Sequence, residues 1–130
     1  MNLAVPHDGD ILAIVTVVRQ TSYDVHKYLR SGFTEKIYEN ALAHRLRKQG
    51  IRAEQQQCIR VFDEDGTLLG LFRADILVAG QVICEIKSCQ SLVDTHTAQL
   101  LAYLRATRLQ HGLLINFGGP KLEVKKYILT

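Results

Sequence analysis

Proline is nearly absent, with two in 130 residues, and no Pro-, Gly- or Ser-rich tract interrupts the chain. A linker long enough to separate two domains is therefore excluded, as are low-complexity and repeat architectures. Cysteine is also scarce. Cys58, Cys84 and Cys89 are odd in number and lack CxxC spacing, which argues against a zinc site or a disulfide framework. They read as small buried hydrophobes, and reduced thiols fit a cytoplasmic protein. No long apolar run is present: the longest, Ile11 to Val18 with Thr16 inside it, is too short to span a bilayer. It follows Asp8 and Asp10 rather than a basic segment, so neither a membrane span nor a signal peptide is expected. A strong charge of one sign is missing too, since the formal net charge is +3. Arg45, Arg47, Lys48 and Arg52 cluster, as do Lys121, Lys125 and Lys126. Such clusters are usually solvated faces, and they permit a nucleic-acid partner without requiring one.

What is present is an ordinary globular composition, 47% hydrophobic over a length suited to one domain, residues 1–130, with the first ten expected to be loose. From Ile11 to Leu29 the pattern is ambiguous. Ile14, Val15, Val17 and Val18 favour a strand by propensity, while Val18, Val25, Tyr28 and Leu29 make a helical stripe. Gly32 breaks the chain and Thr34 suits an N-cap. Ile37, Tyr38, Ala41, Leu42, Arg45 and Leu46 then recur at helical spacing until Gly50. Three strands follow, roughly Gln56 to Phe62, Leu68 to Val78 and Gln81 to Ser88, with a tight turn at 63–66, and they should form an antiparallel meander. Ser91 to Asp94 offers a capping box before a helix from about Asp94 to Thr107. Gly112 to Phe117 is a short buried strand, and Lys121 to Leu129 alternates like an edge strand. The expected fold is α/β, a mixed central sheet flanked by helices.

Inside this frame one group does not fit a structural role. Asp75, Glu85 and Lys87 fall where a buried hairpin is expected, and charges removed from water cost several kcal/mol unless paired or bound to a cation. Two carboxylates suit a hard divalent ion such as Mg²⁺, and a nearby lysine suits a phosphate or a nucleophilic water. Strand parity tests whether they meet. A two-residue turn at Ala79-Gly80 leaves Glu85 on the wrong face, whereas a three-residue turn, 79–81, sets Asp75 opposite Glu85. One face then carries Asp75, Leu77, Ile83, Glu85 and Lys87. The other carries Ala74, Ile76, Val78, Val82, Cys84 and Ile86, and is wholly apolar. Elsewhere, Glu35, Tyr38 and Glu39 share a helical face, and His96, Gln99 and Tyr103 form one stripe of the later helix that avoids Leu101 and Leu104.

Gly32-Phe33-Thr34-Glu35-Lys36-Ile37-Tyr38 resembles the motif that names the GxxExxY proteins. Arg73-Ala74-Asp75, Glu85-Ile86-Lys87, His96-Thr97-Ala98-Gln99, Tyr103 and the apolar strand Leu113 to Phe117 follow in the expected order. Those proteins are assigned to the PD-(D/E)XK nucleases, near the RecB-like branch. The resemblance spans about Val25 to Phe117 and implies a restriction-endonuclease-like αβββαβ core, with Ile11 to Leu29 tilted toward helix. One departure is visible: the family's Leu-Gly-Pro-Gly-like turn is here Leu29-Arg30-Ser31-Gly32.

What the resemblance implies is a phosphodiester hydrolase, an endonuclease or related nuclease acting on DNA in preference to RNA. Asp75, Glu85 and the Ile86 backbone carbonyl would bind Mg²⁺ (or Mn²⁺), and Glu35 would complete the acidic cluster. Lys87 would orient water or offset charge in the transition state. Gln99 and Tyr103, with Arg73, His96 and Tyr38, would position substrate. No membrane partner is implied, and a homodimer or a partner protein would help so small a chain grip a duplex. The competing reading is a non-catalytic nucleic-acid-binding or assembly subunit that keeps the nuclease fold. A third is an enzyme acting on small phosphate compounds.

Overall fold

The computed structural model describes residues 10–130, so most of the expected loose N-terminus lies outside the described residues. Eight elements follow in order: α1 (Ile11–Leu29), α2 (Glu35–Lys48), β1 (Ala53–Phe62), β2 (Leu68–Val78), β3 (Val82–Lys87), α3 (Asp94–Thr107), β4 (His111–Asn116) and β5 (Glu123–Ile128). One five-stranded sheet runs in sequence order, β1 to β5. The first three strands are an antiparallel meander, β4 returns parallel to β3 through α3, and β5 is antiparallel to β4. This is the expected mixed α/β arrangement. No helix among the described residues is long and apolar enough to cross a membrane.

The ambiguous first segment is helix. Ile14, Val15, Val18, Ser22 and Val25 are buried at three- and four-residue spacing, so an apolar stripe packed on the sheet overrides β-branched propensity. Asp10 accepts from the Ala13 amide at 3.3 Å and starts the helix. Thr16, Thr21 and Ser22 return their hydroxyls to carbonyls four residues back, which satisfies them inside the helix. Tyr28 is not part of the stripe; it is exposed, and the Arg45 guanidinium lies 5.8 Å from its ring centre.

Helices α1 and α2 cover one side of the sheet over a core that includes Leu42, Leu46, Ile76, Cys84, Ile86 and Leu113. A smaller core under α3 joins Ala74, Ile83, Leu100, Leu104 and Leu114. Central strands β3 and β4 are therefore buried on both faces, as a sheet covered on both sides requires. Thr34 holds the N-cap position of α2, although its side chain makes no capping bond. At α3 the cap is Val93, not Ser91. A valine side chain has no acceptor, so only half of the reciprocal box exists: His96 Nδ1 accepts from the Val93 amide at 3.2 Å. Cysteine usage also differs in part from expectation, because Cys84 is buried but Cys58 is exposed; all three are free.

The β2–β3 register is Val78 opposite Val82, Leu77 opposite Ile83 and Ile76 opposite Cys84, leaving a three-residue turn. Ala79 (φ 54°) and Gly80 (φ 66°) both take left-handed conformations there. A side chain at Gly80 would also meet the Arg52 guanidinium at 2.7 Å. This is the register that parity required, yet the apolar face differs at one place. Ala74 packs under α3 with Leu77, while Ile76 and Val78 pack under α1 and α2. Alternation slips by one residue at Asp75. The paired strand slips with it: Ala53 belongs to the α1/α2 core, Ile59 packs under α3, and between them Gln56 has φ of 54°. A paired irregularity of this kind re-aims side chains, and here it falls on Asp75.

Candidate active site

Asp75 and Glu85 meet across the β2–β3 hairpin and bond to each other's backbone neighbourhood. The Ile86 amide donates to Asp75 Oδ2 at 2.8 Å, and the Asp75 amide donates to Glu85 Oε2 at 3.2 Å. Glu85 is 4% exposed, so two carboxylates share a site with little water. Burial raises the Glu85 pKa first, and the charge and hydrogen bond of Asp75 raise it further; against this, an Asp75 backbone hydrogen bond and Lys87 pull it down. The balance is a shift from the ordinary 4.5 up to about 9. Burial and the same two acids push the Cys84 thiol upward and keep it protonated.

Behind the pair runs a hydrogen-bonded relay from α2. Gln56 Nε2 spans Asp75 Oδ1 at 3.3 Å and Glu39 Oε1 at 2.8 Å. Glu39 Oε2 accepts from Gln55 at 2.7 Å and from Lys36 at 2.9 Å. A carboxylate can only accept, so both glutamine amides must present nitrogen to Glu39. The slip at Gln56 makes this possible, since strict alternation would turn Gln55 and Gln56 to opposite faces.

Lys87 is half-buried at the C-terminal end of β3, and its charge acts on Glu85. Tyr103 lies on the α3 side, where its ring stacks on Phe72 with centroids 3.9 Å apart. Burial, then Glu85 and Asp75, raise its pKa, which places the phenol in the field of the acid pair. The remaining sequence candidates stand apart. Glu35 is exposed in the first turn of α2 and makes no side-chain hydrogen bond or ion pair among the described residues. Gln99 and Arg73 are exposed and have no side-chain partners among the described residues, and His96 caps α3. Tyr38 corrects an expectation: its ring is fully buried and stacks on Phe117 at 4.6 Å, so it cannot touch substrate. Its hydroxyl donates to the Arg30 carbonyl and accepts from the Phe33 amide, tying down the turn that enters α2.

The residues that sequence reading missed are Glu39, Gln55 and Gln56. Glu39 was visible on the Tyr38 face, but an acidic residue on an otherwise apolar helix stripe was the sign that mattered. Three consecutive glutamines in a strand were the second sign.

The carboxylates belong to β2 and β3, the lysine follows the glutamate by two residues, and a helix supplies a second-layer acid. Over residues 13–127 the sequence matches the PD-(D/E)XK nuclease superfamily. The chain belongs to that superfamily. Among solved structures, the crystal structure of SSO0001 is similar in fold, with a TM-score of 0.58 at 20% identity. The likeness covers 72% of this chain and 48% of that one, so this chain spans about half the length of that relative. Curated proteins give no match.

A divalent cation is usual among PD-(D/E)XK nucleases, and the donor set can be tested for it. Among the described residues no three His, Cys, Asp or Glu side chains approach closely enough to hold a metal. Asp75 and Glu85 supply two carboxylates on adjacent strands, and burial, with the charge and hydrogen bond of Asp75 added, raises the Glu85 pKa. Magnesium is commonly held by one or two carboxylates with water and substrate completing its shell, so the residues fit Mg²⁺ or Mn²⁺ and would suit a caged zinc or calcium poorly.

Proposed function

We propose that this protein is a metal-dependent nuclease that hydrolyses phosphodiester bonds, in DNA in preference to RNA. The observation that carries the reading is the pairing of half-buried Asp75 with buried Glu85, held by reciprocal backbone bonds with Lys87 beside it. A purely structural core would not keep two carboxyls in this position, because apolar residues of similar volume would be at least as stable.

In this reading Asp75, Glu85 and the Ile86 carbonyl hold Mg²⁺ or Mn²⁺, which when bound polarises a phosphoryl oxygen and acidifies water. Lys87 brings positive charge to the phosphate and steadies the attacking water. Glu39 acts through Gln56: it fixes the glutamine amide that points at Asp75, and so orients the carboxylate for binding. This gives the helix acid the role expected of Glu35, on the side chain that the hydrogen bonds connect. Tyr103 limits access of bulk water from the α3 side and contacts substrate, with Gln99 one turn before it. Arg73, on β2 two residues before Asp75, is available to a backbone phosphate, whereas His96 serves its helix.

The Gly32, Glu35 and Tyr38 spacing supports a place in the GxxExxY group near the RecB-like branch. Here Gly32 has φ of 121° and Tyr38 anchors the same turn, so two of the motif's letters describe how α2 begins. The test is cleavage of labelled single-stranded, duplex and branched DNA and of RNA, in Mg²⁺ or Mn²⁺ against chelator. Wild type should cut, and Glu85→Ala and Lys87→Ala should remain folded and lose at least a hundredfold in rate. Equal cleavage by all three proteins would identify a contaminant. Binding without cutting under every condition would favour an assembly subunit.

A further inference from the structure

A cleft of about 470 Å³ lies between the last turns of α1 and the β4–β5 loop, lined among others by Tyr23, Asp24, His26, Lys27, Arg30 and Lys121. It holds three cations, from Lys27, Arg30 and Lys121, and one carboxylate, Asp24, which accepts from Gln20 at 3.1 Å. None of the three cations has an ion-pair or hydrogen-bond partner on its side chain among the described residues. Lys27 and Arg30 alone would be unremarkable, since cations suit a helix C-terminus. Lys121 has no such reason to face them. It comes from a different element and is brought there by a loop fixed at both ends.

That loop also packs against the chain leaving β3, two residues beyond Lys87. The chain leaves β3 at Lys87 into Ser88, whose hydroxyl donates to the Phe33 carbonyl at 2.8 Å. Cys89 packs against Gly118 so closely that a side chain there would meet the Cys89 amide at 2.3 Å. Asn116 is fully buried and secures the contact, accepting from the Cys89 amide at 3.0 Å and donating to its carbonyl at 3.0 Å. One residue further, the Gly119 carbonyl bonds His26 Nε2 at 3.0 Å. A carbonyl only accepts, so His26 donates and ties α1 to the loop. The chain leaving β3 after Lys87 and the loop that carries Lys121 are thus tied together at the C-terminal ends of the parallel strands β3 and β4, where open α/β sheets bind ligands.

Resting on the nuclease reading above, we propose that this cleft is a second subsite that holds the sugar-phosphate backbone of the substrate strand beside the scissile position. Lys27, Arg30 and Lys121 take phosphate, and Tyr23, half-exposed at the cleft wall, offers its ring to a base. This subsite supplies grip and register to a chain whose net charge of +3 gives little general attraction.

The experiment measures anisotropy of a fluorescein-labelled 20-nucleotide DNA strand in chelator, so that binding is read without turnover, from low to moderate salt. The pair Lys27→Ala with Lys121→Ala is compared with Arg105→Ala with Arg108→Ala, which removes equal charge from the far end of α3. The first pair should weaken binding about fivefold or more and reduce the slope of log K against log salt by roughly 1 to 1.5, as expected for two lost phosphate contacts on a single strand. The second pair should change the slope by less than half of that. In Mg²⁺ the first pair should raise KM with a smaller change in kcat. Equal losses in both pairs, wild-type binding by the first pair, or no binding by wild type would each overturn the subsite. If wild type binds as described but never cleaves, the subsite stands and the nuclease reading falls.

Discussion

Replacing Glu85 with glutamine should leave the fold intact and abolish the pH dependence of stability that Glu85 causes between about 4.5 and 9. In the folded chain Glu85 keeps its proton up to about 9, whereas the unfolded carboxyl loses it near 4.5. Between those values the folded state binds more protons, so stability is complete below about 4.5 and declines as pH rises through about 9. The full separation corresponds to several kcal/mol, and water penetration around a coupled pair reduces the measurable part to roughly 2 to 3 kcal/mol. Glutamine has no such titration. Its carbonyl still accepts from the Asp75 amide, and its NH₂ can donate to the Asp75 carboxylate where the shared proton stood. Urea denaturation in chelator from pH 5 to 9.5 is the assay. Wild type should lose roughly 2 to 3 kcal/mol across that range while Glu85→Gln stays within about 1 kcal/mol, making the variant the more stable protein at pH 9. A wild-type profile that is flat, or a variant as steep as wild type, would refute the reasoning. The same proton predicts that Mg²⁺ added to wild type in weakly buffered solution at pH 7 releases acid, and that Glu85→Gln releases less.

Glu39→Gln should stay folded yet lower cleavage roughly 10- to 100-fold, because Gln56 no longer has a carboxylate to fix it against Asp75; circular dichroism and initial rates check this. Glu35→Ala should cost less than about 1 kcal/mol in stability, all of it from the helix dipole, and should reduce rate far less than Glu39→Gln. Tyr38→Phe should destabilise by roughly 1 to 3 kcal/mol through the lost bonds to Arg30 and Phe33, with KM unchanged. Asn116→Leu should destabilise by about 2 to 4 kcal/mol, since the Cys89 amide and carbonyl and the Gly118 amide lose their partner together.

The register of the β2–β3 hairpin was legible in the sequence because an odd turn was the only way to separate apolar from charged faces. Helix α3 was legible from its spacing, although its cap, Val93 in place of Ser91, was not. The slip at Asp75 was not legible, since a positive φ at Gln56 is imposed by the partner strand and by Glu39 rather than by the residue type. Helix α1 was obscured because its core-facing residues are β-branched, and only the presence of a sheet beneath it decides the outcome. Glu39 was legible as a helix-face residue but not as part of the site. What selects it over Glu35 is the roll of α2 toward β1, fixed by Tyr38, Leu42 and Leu46 packing into the core. Tyr38 looked like a binding residue for want of the same information.

The account turns on a divalent cation sitting between Asp75 and Glu85. Anomalous diffraction from crystals soaked in Mn²⁺ tests this directly. The account predicts a peak within ligand distance of both carboxylates and of the Ile86 carbonyl, absent in Glu85→Gln crystals. A protein that cleaves nucleic acid in Mn²⁺ while showing no peak there, or showing one only at another site, would contradict it.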